Sequence, residues 1–292
     1  MAKGYTTRKL QVFALHARAD SAQVDYSELF KRIASLPADQ RLSDFEGRVV
    51  AIPTLEFRRG TAWLVAYEGD RGVNPLIYST SSARERIQRL RTGEVVAHKT
   101  HASFDMRRRE SVIEYNHRGA KAHDIAIVLE ALARRCWDDP TFAIELNPFA
   151  DEEFAKAIVH FERIRVATLR VARPNIDWTD HYNNLTEVAQ DSDARIIEVG
   201  VTASRGGSLS PRRGVVGYIR DLAREGLSIL KGARVTGIRE GESEETTVSL
   251  AHHIEHQKVN VRMTEDGHVD DEDVREKIEA YLAARAQRGA KR

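Results

Sequence analysis

Stretches of alternating apolar and polar residues share the chain with shorter stretches of helical spacing. Alternation or short apolar runs predict strands at 9–17, 47–52, 61–67, 75–78, 94–98, 110–115, 142–146, 163–171, 194–203, 233–238 and 246–263. Apolar residues at helical spacing predict helices at 27–36, 81–91, 123–135, 151–161, 178–189, 215–230 and 270–288. Helices and strands therefore follow one another along the whole chain.

This order of elements predicts an α/β fold of the mixed α+β kind. Asp138-Asp139-Pro140 is the clearest interruption of the pattern. We therefore expect two subdomains, 1–137 and 138–292, each with a mixed sheet and packed helices. The second would contain a basic loop at 204–214 and an acid-rich C-terminal part.

Composition limits where this protein is expected to work. The single cysteine, Cys136, excludes a disulfide framework within the chain and suits a reducing compartment. No apolar run approaches the roughly 20 residues that a membrane-spanning helix needs, and the first residues lack the apolar core of a signal peptide. We therefore expect a soluble cytoplasmic protein.

The formal net charge of +1 hides a strong segregation of charge along the chain. Residues 84–121 hold ten Lys or Arg against five Asp or Glu, and residues 204–234 hold seven against two. Residues 240–279 hold thirteen acids against four bases. Such segregation suits a face that binds a polyanion, and it equally suits attraction between two copies of the chain.

The most informative segment is the loop Arg205–Gly214, with sequence RGGSLSPRRG. It joins a predicted strand to a predicted helix, so guanidinium groups would lie beside the free N–H groups of a helix N-terminus. That combination is suited to phosphate. The loop lacks the Gly-Lys-Ser/Thr ending of a nucleotide P-loop, which favours a nucleic-acid backbone over ATP. The alternative is a mobile, solvated surface loop.

Nucleic acid would contact a continuous basic surface if three groups of residues shared one face: the arginines of the loop, those of 84–91 and the triplet 107–109. The residues predicted to bind it are Arg205, Arg212, Arg213, Arg107, Arg108, Arg109, Arg84, Arg86, Arg89, Arg91, Arg118 and Lys121.

Histidine-rich stretches are the remaining candidates for chemistry. They contain His98, His101, His252, His253 and His256. No cysteine or acidic motif completes a metal signature beside them, and the sequence lacks a nucleophile elbow and a dinucleotide fingerprint. We predict no catalytic residue, no metal and no cofactor, and hence a protein that is not an enzyme.

Two segments carry a family resemblance. The Tyr115-Asn-His-Arg-Gly119 turn, within Glu110–Leu129, looks like a segment of bacterial proteins associated with phage resistance. Phe142–Ile158 resembles the strand, Pro-Phe turn and acidic-then-apolar helix of RexA-like phage-exclusion proteins. The resemblance covers about a third of the chain. It implies a non-enzymatic, dimeric DNA-binding sensor of prophage-mediated exclusion that acts with a separate membrane-embedded effector.

A homodimer is also suggested by the long extended segment Thr246–Met263, where Val248, Leu250 and Ile254 alternate on one side. An edge of that length is usually paired or covered. A second copy would cover it, and so would another element of the same chain.

Two other classes of function remain open beside sequence-independent DNA binding. One is a nuclease or other phosphoester enzyme, which needs clustered carboxylates or histidines. The other is a protein-interaction or structural module, in which the segregated charges serve self-assembly.

Overall fold

The computed structural model describes residues 4–20, 23–45, 47–81, 83–172, 192, 194, 196–225 and 230–289. Within them the chain divides into two compact units. Unit 1 comprises 1–10, 15–146 and 257–292, and unit 2 comprises 11–14 and 147–256. The predicted division at Asp138 differs from this one, because unit 1 continues to Leu146 and takes up the chain again at Gln257.

The fold is mixed α+β, as the sequence predicts. Its described strands are β1 (Tyr5–Arg18), β2 (Leu42–Phe45), β3 (Arg48–Arg58), β4 (Thr61–Asp70), β5 (Leu76–Ser79), β6 (Arg84–Ile87), β7 (His98–Asp105), β8 (Glu110–Tyr115), β9 (Ala143–Pro148), β10 (Phe161–Ala172), β11 (Ile196–Thr202), β12 (Leu230–Arg239), β13 (Glu245–Ser249) and β14 (His256–Arg262). Its described α-helices are α1 (Tyr26–Ser35), α2 (Ala122–Trp137), α3 (Glu152–Val159), α4 (Gly214–Glu225) and α5 (Asp271–Gly289).

The largest sheet is an eight-stranded antiparallel half-barrel. Its strands follow the order β14-β1-β8-β7-β4-β3-β2, and β9 pairs with β1 off this path. The predicted turn at Arg58-Arg59-Gly60 joins β3 to β4. Arg59 and Gly60 both have positive φ, 52° and 84°, which is the conformation that a tight two-residue hairpin requires.

Helices cover both faces of β7 in this sheet. Phe30 of α1 packs on Phe104 from one side, with ring centroids 5.0 Å apart, whereas α5 packs against β7 and β8. Residues 100–104 are consequently buried on both faces. A strand covered on both faces must place even its polar side chains in the interior, which explains why His101 is buried there.

The helices form where caps and apolar spacing coincide. The Asp25 carboxylate accepts hydrogen bonds from the N–H groups of Ser27 and Glu28 at 2.8 and 3.1 Å and so caps α1. Leu29 and Ile33 lie one turn apart on its buried face. None of the helices in the described ranges has the length and apolar composition needed to cross a bilayer.

Unit 2 is a two-layer structure. A four-stranded antiparallel sheet, in the order β11-β10-β12-β13, packs one face against α3 and α4. Its core includes Phe154, Leu169, Ile219 and Val235, all nearly inaccessible to solvent. The predicted strand 194–203 corresponds to β11. The predicted helix 178–189 lies outside the described residues.

The predicted helix at 81–91 is wrong. Residues 84–87 form β6, in which Arg84 lies opposite Ser79 and Ile87 opposite Leu76. Ala83, just before it, has a φ of 51°, which a right-handed helix does not accommodate. Cross-strand pairing therefore overrides the helical propensity of the arginine-rich stretch.

Two extended segments also differ from the prediction. The strand expected at 94–98 begins only at His98, where pairing with β4 starts. The single extended segment expected at 246–263 is interrupted at 250–252 by a 3-10 turn, in which the His253 N–H donates to the Leu250 carbonyl at 2.9 Å. Leu250 is buried in the core of unit 2, so the chain turns there rather than continuing as one strand.

Candidate nucleic-acid interface

The loop between β11 and α4 is held to β10 by backbone hydrogen bonds. The Ala203 N–H donates to the Arg165 carbonyl at 2.8 Å, and the Leu209 N–H donates to the Ile164 carbonyl at 2.9 Å. These bonds fix the loop at two points along one strand. The backbone is therefore attached to β10 at Ala203 and at Leu209.

Side chains fix the same loop further. The Arg163 guanidinium donates to the Gly207 carbonyl at 3.1 Å, and the Ser208 hydroxyl accepts from the Ile164 N–H at 3.0 Å. On the far side, Arg220 of α4 reaches the Pro211 carbonyl at 3.4 Å. The backbone that carries the predicted arginines is thus tied to a strand and to a helix.

The three arginines of this loop point into solvent. Arg205, Arg212 and Arg213 are all exposed. Within the described part of unit 2, none of their guanidinium groups forms an ion pair, although Arg163, Arg165 and other basic side chains of the unit make polar contacts there. An unpaired guanidinium keeps all five donors for an external anion. We call the segment 203–213 the anchored loop.

Helix α4 begins directly after Arg213. Gly214 has a φ of 63°, and a Cβ at Gly217 would lie 2.7 Å from the Arg212 carbonyl oxygen. These glycines allow the loop to approach the first turn of the helix closely. The free N–H groups of that turn carry partial positive charge, so two of the three arginines adjoin a region that attracts anions.

A second group of exposed arginines lies in unit 1, on the hairpin of β5 and β6. Arg84 and Arg86 alternate on one face of β6, and Arg89 and Arg91 follow the strand. All four are exposed, and in the described ranges none of the four forms an ion pair. They do not share the helix face that the sequence predicts, but Arg84 and Arg86 share a strand face.

The arginine triplet occupies the turn between β7 and β8. Arg107 is exposed. Arg108 donates to Glu110 at 3.2 Å, and the Arg109 guanidinium lies 5.0 Å from the centre of the Tyr26 ring. Arg107 is therefore the member of the triplet that these contacts leave most available to a ligand.

Arg118 and Lys121 lie in the loop at the other end of β8, and their roles differ. Arg118 is exposed. The Lys121 ammonium donates to the carbonyls of Asn116 and His117, the latter at 2.7 Å. Partial burial lowers the pKa of Lys121. Its ammonium closes the loop from inside, which reduces its capacity to bind an external phosphate.

The structure also brings together a charge network, buried at its centre, that sequence reasoning does not find. His101 of β7 is 1 % exposed. Its Nδ1 lies 2.6 Å from Oε2 of Glu114, and its Nε2 lies 3.0 Å from Oδ1 of Asp271. The ring stacks on Trp63 with a centroid distance of 5.7 Å. Both ring nitrogens are thus engaged by carboxylates.

Further cations extend this network at both ends. Arg8 contacts Glu114 at 3.2 Å, and Lys99 contacts Asp271 at 3.1 Å. Charges alternate in sign along Arg8, Glu114, His101, Asp271 and Lys99.

These contacts shift the pKa values of Lys99, His101 and Asp271. For Lys99, partial burial disfavours the protonated form, but the hydrogen bond to Asp271 outweighs this effect and raises the pKa. Burial disfavours the protonated form of His101, but its hydrogen bonds to Asp271 and Glu114 outweigh this effect and raise its pKa. The hydrogen bond from His101 lowers the pKa of Asp271 to about 2. The network therefore places the imidazole, whose protonated form these contacts favour, between two carboxylates, and it joins the first turn of α5 to β7. We call Arg8, Glu114, His101, Asp271 and Lys99 together the charge network.

The other candidate histidines make contacts of their own. His98 begins β7, and His252 ends the 3-10 turn. His253 contacts Asp151 at 3.2 Å, and the His256 ring contacts the Ile254 carbonyl at 2.9 Å. In the described part of the chain, no group of three or more His, Cys, Asp or Glu side chains is arranged to hold a metal ion.

Comparison with models of known protein families gives no match, and comparison with functionally characterised proteins gives no significant relative.

Proposed function

We propose that this protein binds nucleic acid through its phosphate backbone, largely independently of sequence, and does not turn it over. The observation that carries the proposal is the anchored loop, which presents Arg205, Arg212 and Arg213 unpaired and exposed beside the start of α4. Guanidinium forks match phosphate oxygens with two parallel hydrogen bonds. A backbone fixed before binding loses little conformational freedom when the ligand arrives.

Two features favour a polymer over a small phosphate ligand. The loop has no lysine and no Gly-Lys-Ser/Thr ending to hold a nucleotide's terminal phosphates. Exposed arginines also recur elsewhere, on the hairpin of β5 and β6 and at Arg107. Repeated cationic positions suit a ligand with repeated negative charges.

The resemblance to RexA-like proteins supplies the biological setting of the proposal. In that setting the chain is a cytoplasmic, homodimeric DNA-binding sensor of phage exclusion, and a separate membrane-embedded effector carries out the response. The segments that support it are Glu110–Leu129 and Phe142–Ile158. The 3-10 turn divides the extended segment 246–263 into β13 and β14, which are edge strands of two different sheets. These two shorter edges are the positions where a second copy would pair.

The test is a comparison of two double variants with equal loss of charge. Arg212→Ala/Arg213→Ala removes two unpaired arginines of the anchored loop. Arg165→Ala/Arg170→Ala removes two arginines that already contact Glu245 and Glu198 at 3.8 and 3.2 Å. Anisotropy titrations with a labelled DNA duplex, from about 50 to about 200 mM salt, give the affinity and its salt dependence.

We expect the loop variant to bind more weakly on every sequence, and the slope of log K against log salt to fall by about 2, roughly 1 per lost phosphate contact. The control variant should keep the wild-type slope. Equal effects of the two variants would show that the loop has no special role. Magnesium-dependent nicking by the purified protein would replace the proposal with an enzymatic one.

A further inference from the structure

The hairpin of β5 and β6 forms a two-stranded sheet separate from the large sheet. Its ladder runs from Leu76 opposite Ile87 to Ser79 opposite Arg84. Beyond the strands, the Gln88 N–H donates to the Pro75 carbonyl at 2.9 Å, and the Leu90 N–H donates to the Asn74 side chain at 2.8 Å. We call residues 74–81 and 83–91 the basic arm.

The two faces of the basic arm differ in character. Leu76, Tyr78 and Ile87 lie on one face, which also carries Glu85, and are 61 %, 62 % and 65 % exposed. Arg84 and Arg86 lie on the other face, together with Ile77 and Ser79. Three large apolar or aromatic side chains adjacent on one strand pair form a contiguous exposed patch, which in a folded protein commonly marks a binding surface.

An isolated two-stranded hairpin is only marginally stable in water. Neither face of the arm is covered by a helix or a further strand in the described ranges. A ligand that buried the apolar face would therefore order the arm and remove its exposed apolar surface from water.

Charge indicates what that ligand is. From Asn74 to Arg91 the sequence holds four arginines and a single acid, Glu85. The four guanidinium groups form no ion pair with any described residue. A neutral protein surface would leave these cations without partners, whereas a polyanion would neutralise them.

We infer that the basic arm lies in the major groove of duplex DNA. Leu76, Tyr78 and Ile87 contact the groove wall and thymine methyl groups, and the long arginine side chains extend around the edges of the ribbon to the flanking phosphates. A two-stranded ribbon has strands about 4.8 Å apart and fits a groove about 12 Å wide. This inference rests on the proposed function and adds to it a preference for duplex DNA.

Duplex RNA provides the discriminating probe. Its major groove is deep and narrow, so the arm does not enter it, although its phosphates remain accessible to arginine. The full-length protein is titrated with a DNA duplex, an RNA duplex of the same sequence and a single DNA strand. The arm variant is Leu76→Thr/Ile87→Thr, because threonine keeps strand propensity and both positions are exposed. Tyr5→Thr, at another exposed position of unit 1 (68 %), is the control.

We expect the wild-type protein and the control to prefer the DNA duplex over the RNA duplex by about tenfold, the size of a single good groove contact. The arm variant should lose that preference while its affinity for RNA and for single strands stays unchanged. The loop variant Arg212→Ala/Arg213→Ala should weaken binding to all three probes and keep the preference.

Equal binding of DNA and RNA duplexes by the wild-type protein would contradict the inference and leave backbone binding by the anchored loop intact. An arm variant that keeps the preference for DNA would do the same. If that variant also changes from dimer to monomer in sedimentation, the apolar face binds a second copy. Binding to none of the probes removes both proposals.

Discussion

Replacing Glu114 with glutamine removes one charge from the interior of unit 1 and leaves the size of the side chain unchanged. Glu114 is 2 % exposed, and its oxygen lies 2.6 Å from Nδ1 of His101, which is 1 % exposed. In the native protein the carboxylate also contacts Arg8 at 3.2 Å. Glutamine keeps one hydrogen-bonding oxygen but cannot neutralise either cation.

The burial of the pair sets the size of the effect. Removing one partner of a buried ion pair costs about 3–5 kcal/mol, because the other charge remains without compensation. His101 limits this cost by releasing its proton, so we expect about 3 kcal/mol near neutral pH and no more. Glu28→Gln is the matched control. Its pair with Arg32 is 45–46 % exposed, and such pairs contribute about 0.3–0.5 kcal/mol.

The free energy of unfolding lost in Glu114→Gln should decrease as the pH rises. The pKa of His101 is raised above 6.5 in the folded protein. The stabilisation from its protonation is therefore complete below pH 6.5 and is lost as the pH rises through the folded pKa. Glu114→Gln removes one cause of the raised pKa, so the variant should lose less stability than the wild type as the pH rises.

Urea unfolding at about pH 6 and about pH 9 measures both effects. Because two units can unfold separately, hydrogen exchange of the β7 and β8 amides should locate the loss in unit 1. A cost below about 1 kcal/mol, or the same pH dependence in variant and wild type, would refute a charged His101 held between carboxylates.

Two further results are expected from single residues. The carboxyl carbon of Asp271 should titrate in NMR with a midpoint of about 2. His101→Gln should move that midpoint toward 3.8, because the hydrogen bond from the imidazole is the main cause of the lowered pKa. An unchanged midpoint would show that His101 is not the cause. Gly237→Ala should destabilise unit 2 by about 1–3 kcal/mol in urea unfolding, since a Cβ there would lie 2.2 Å from the Arg163 carbonyl oxygen. Gly232→Ala, where the nearest atom is 3.6 Å away on a flexible side chain, should have little effect, and equal costs at the two positions would contradict the packing argument.

Local sequence patterns predicted much of the fold because their causes are local. The Arg59-Gly60 turn follows from the positive φ that a tight hairpin needs. Helix α2 follows from Ile125, Leu129 and Leu132 on one buried face.

The incorrect elements depend on partners elsewhere in the chain. Residues 84–87 form a strand because 76–79 pair with them, and nothing within 81–91 alone specifies that pairing. The segment 246–263 divides because Leu250 is drawn into the core of unit 2. In both cases a tertiary contact decides a pattern that the local sequence leaves ambiguous.

The candidate site, too, could be predicted from the sequence only in part. The exposed basic positions of the anchored loop could be predicted, since three arginines in a Gly/Ser/Pro loop favour the surface. The charge network could not, because His101 and Asp271 are 170 residues apart. One signal was present: Glu114 interrupts an apolar strand, and a carboxylate buried in a strand requires a cationic partner.

If the anchored loop holds the phosphate backbone of nucleic acid, bound phosphates should shield the amides they contact. Hydrogen exchange of the full-length protein, with and without a saturating DNA duplex, measures this protection. We expect slower exchange in peptides covering 203–217. At the duplex concentration that saturates the wild type, Arg212→Ala/Arg213→Ala should show less protection in these peptides, because it binds more weakly. Saturated wild-type protein whose 203–217 amides exchange as in the free protein would contradict the account.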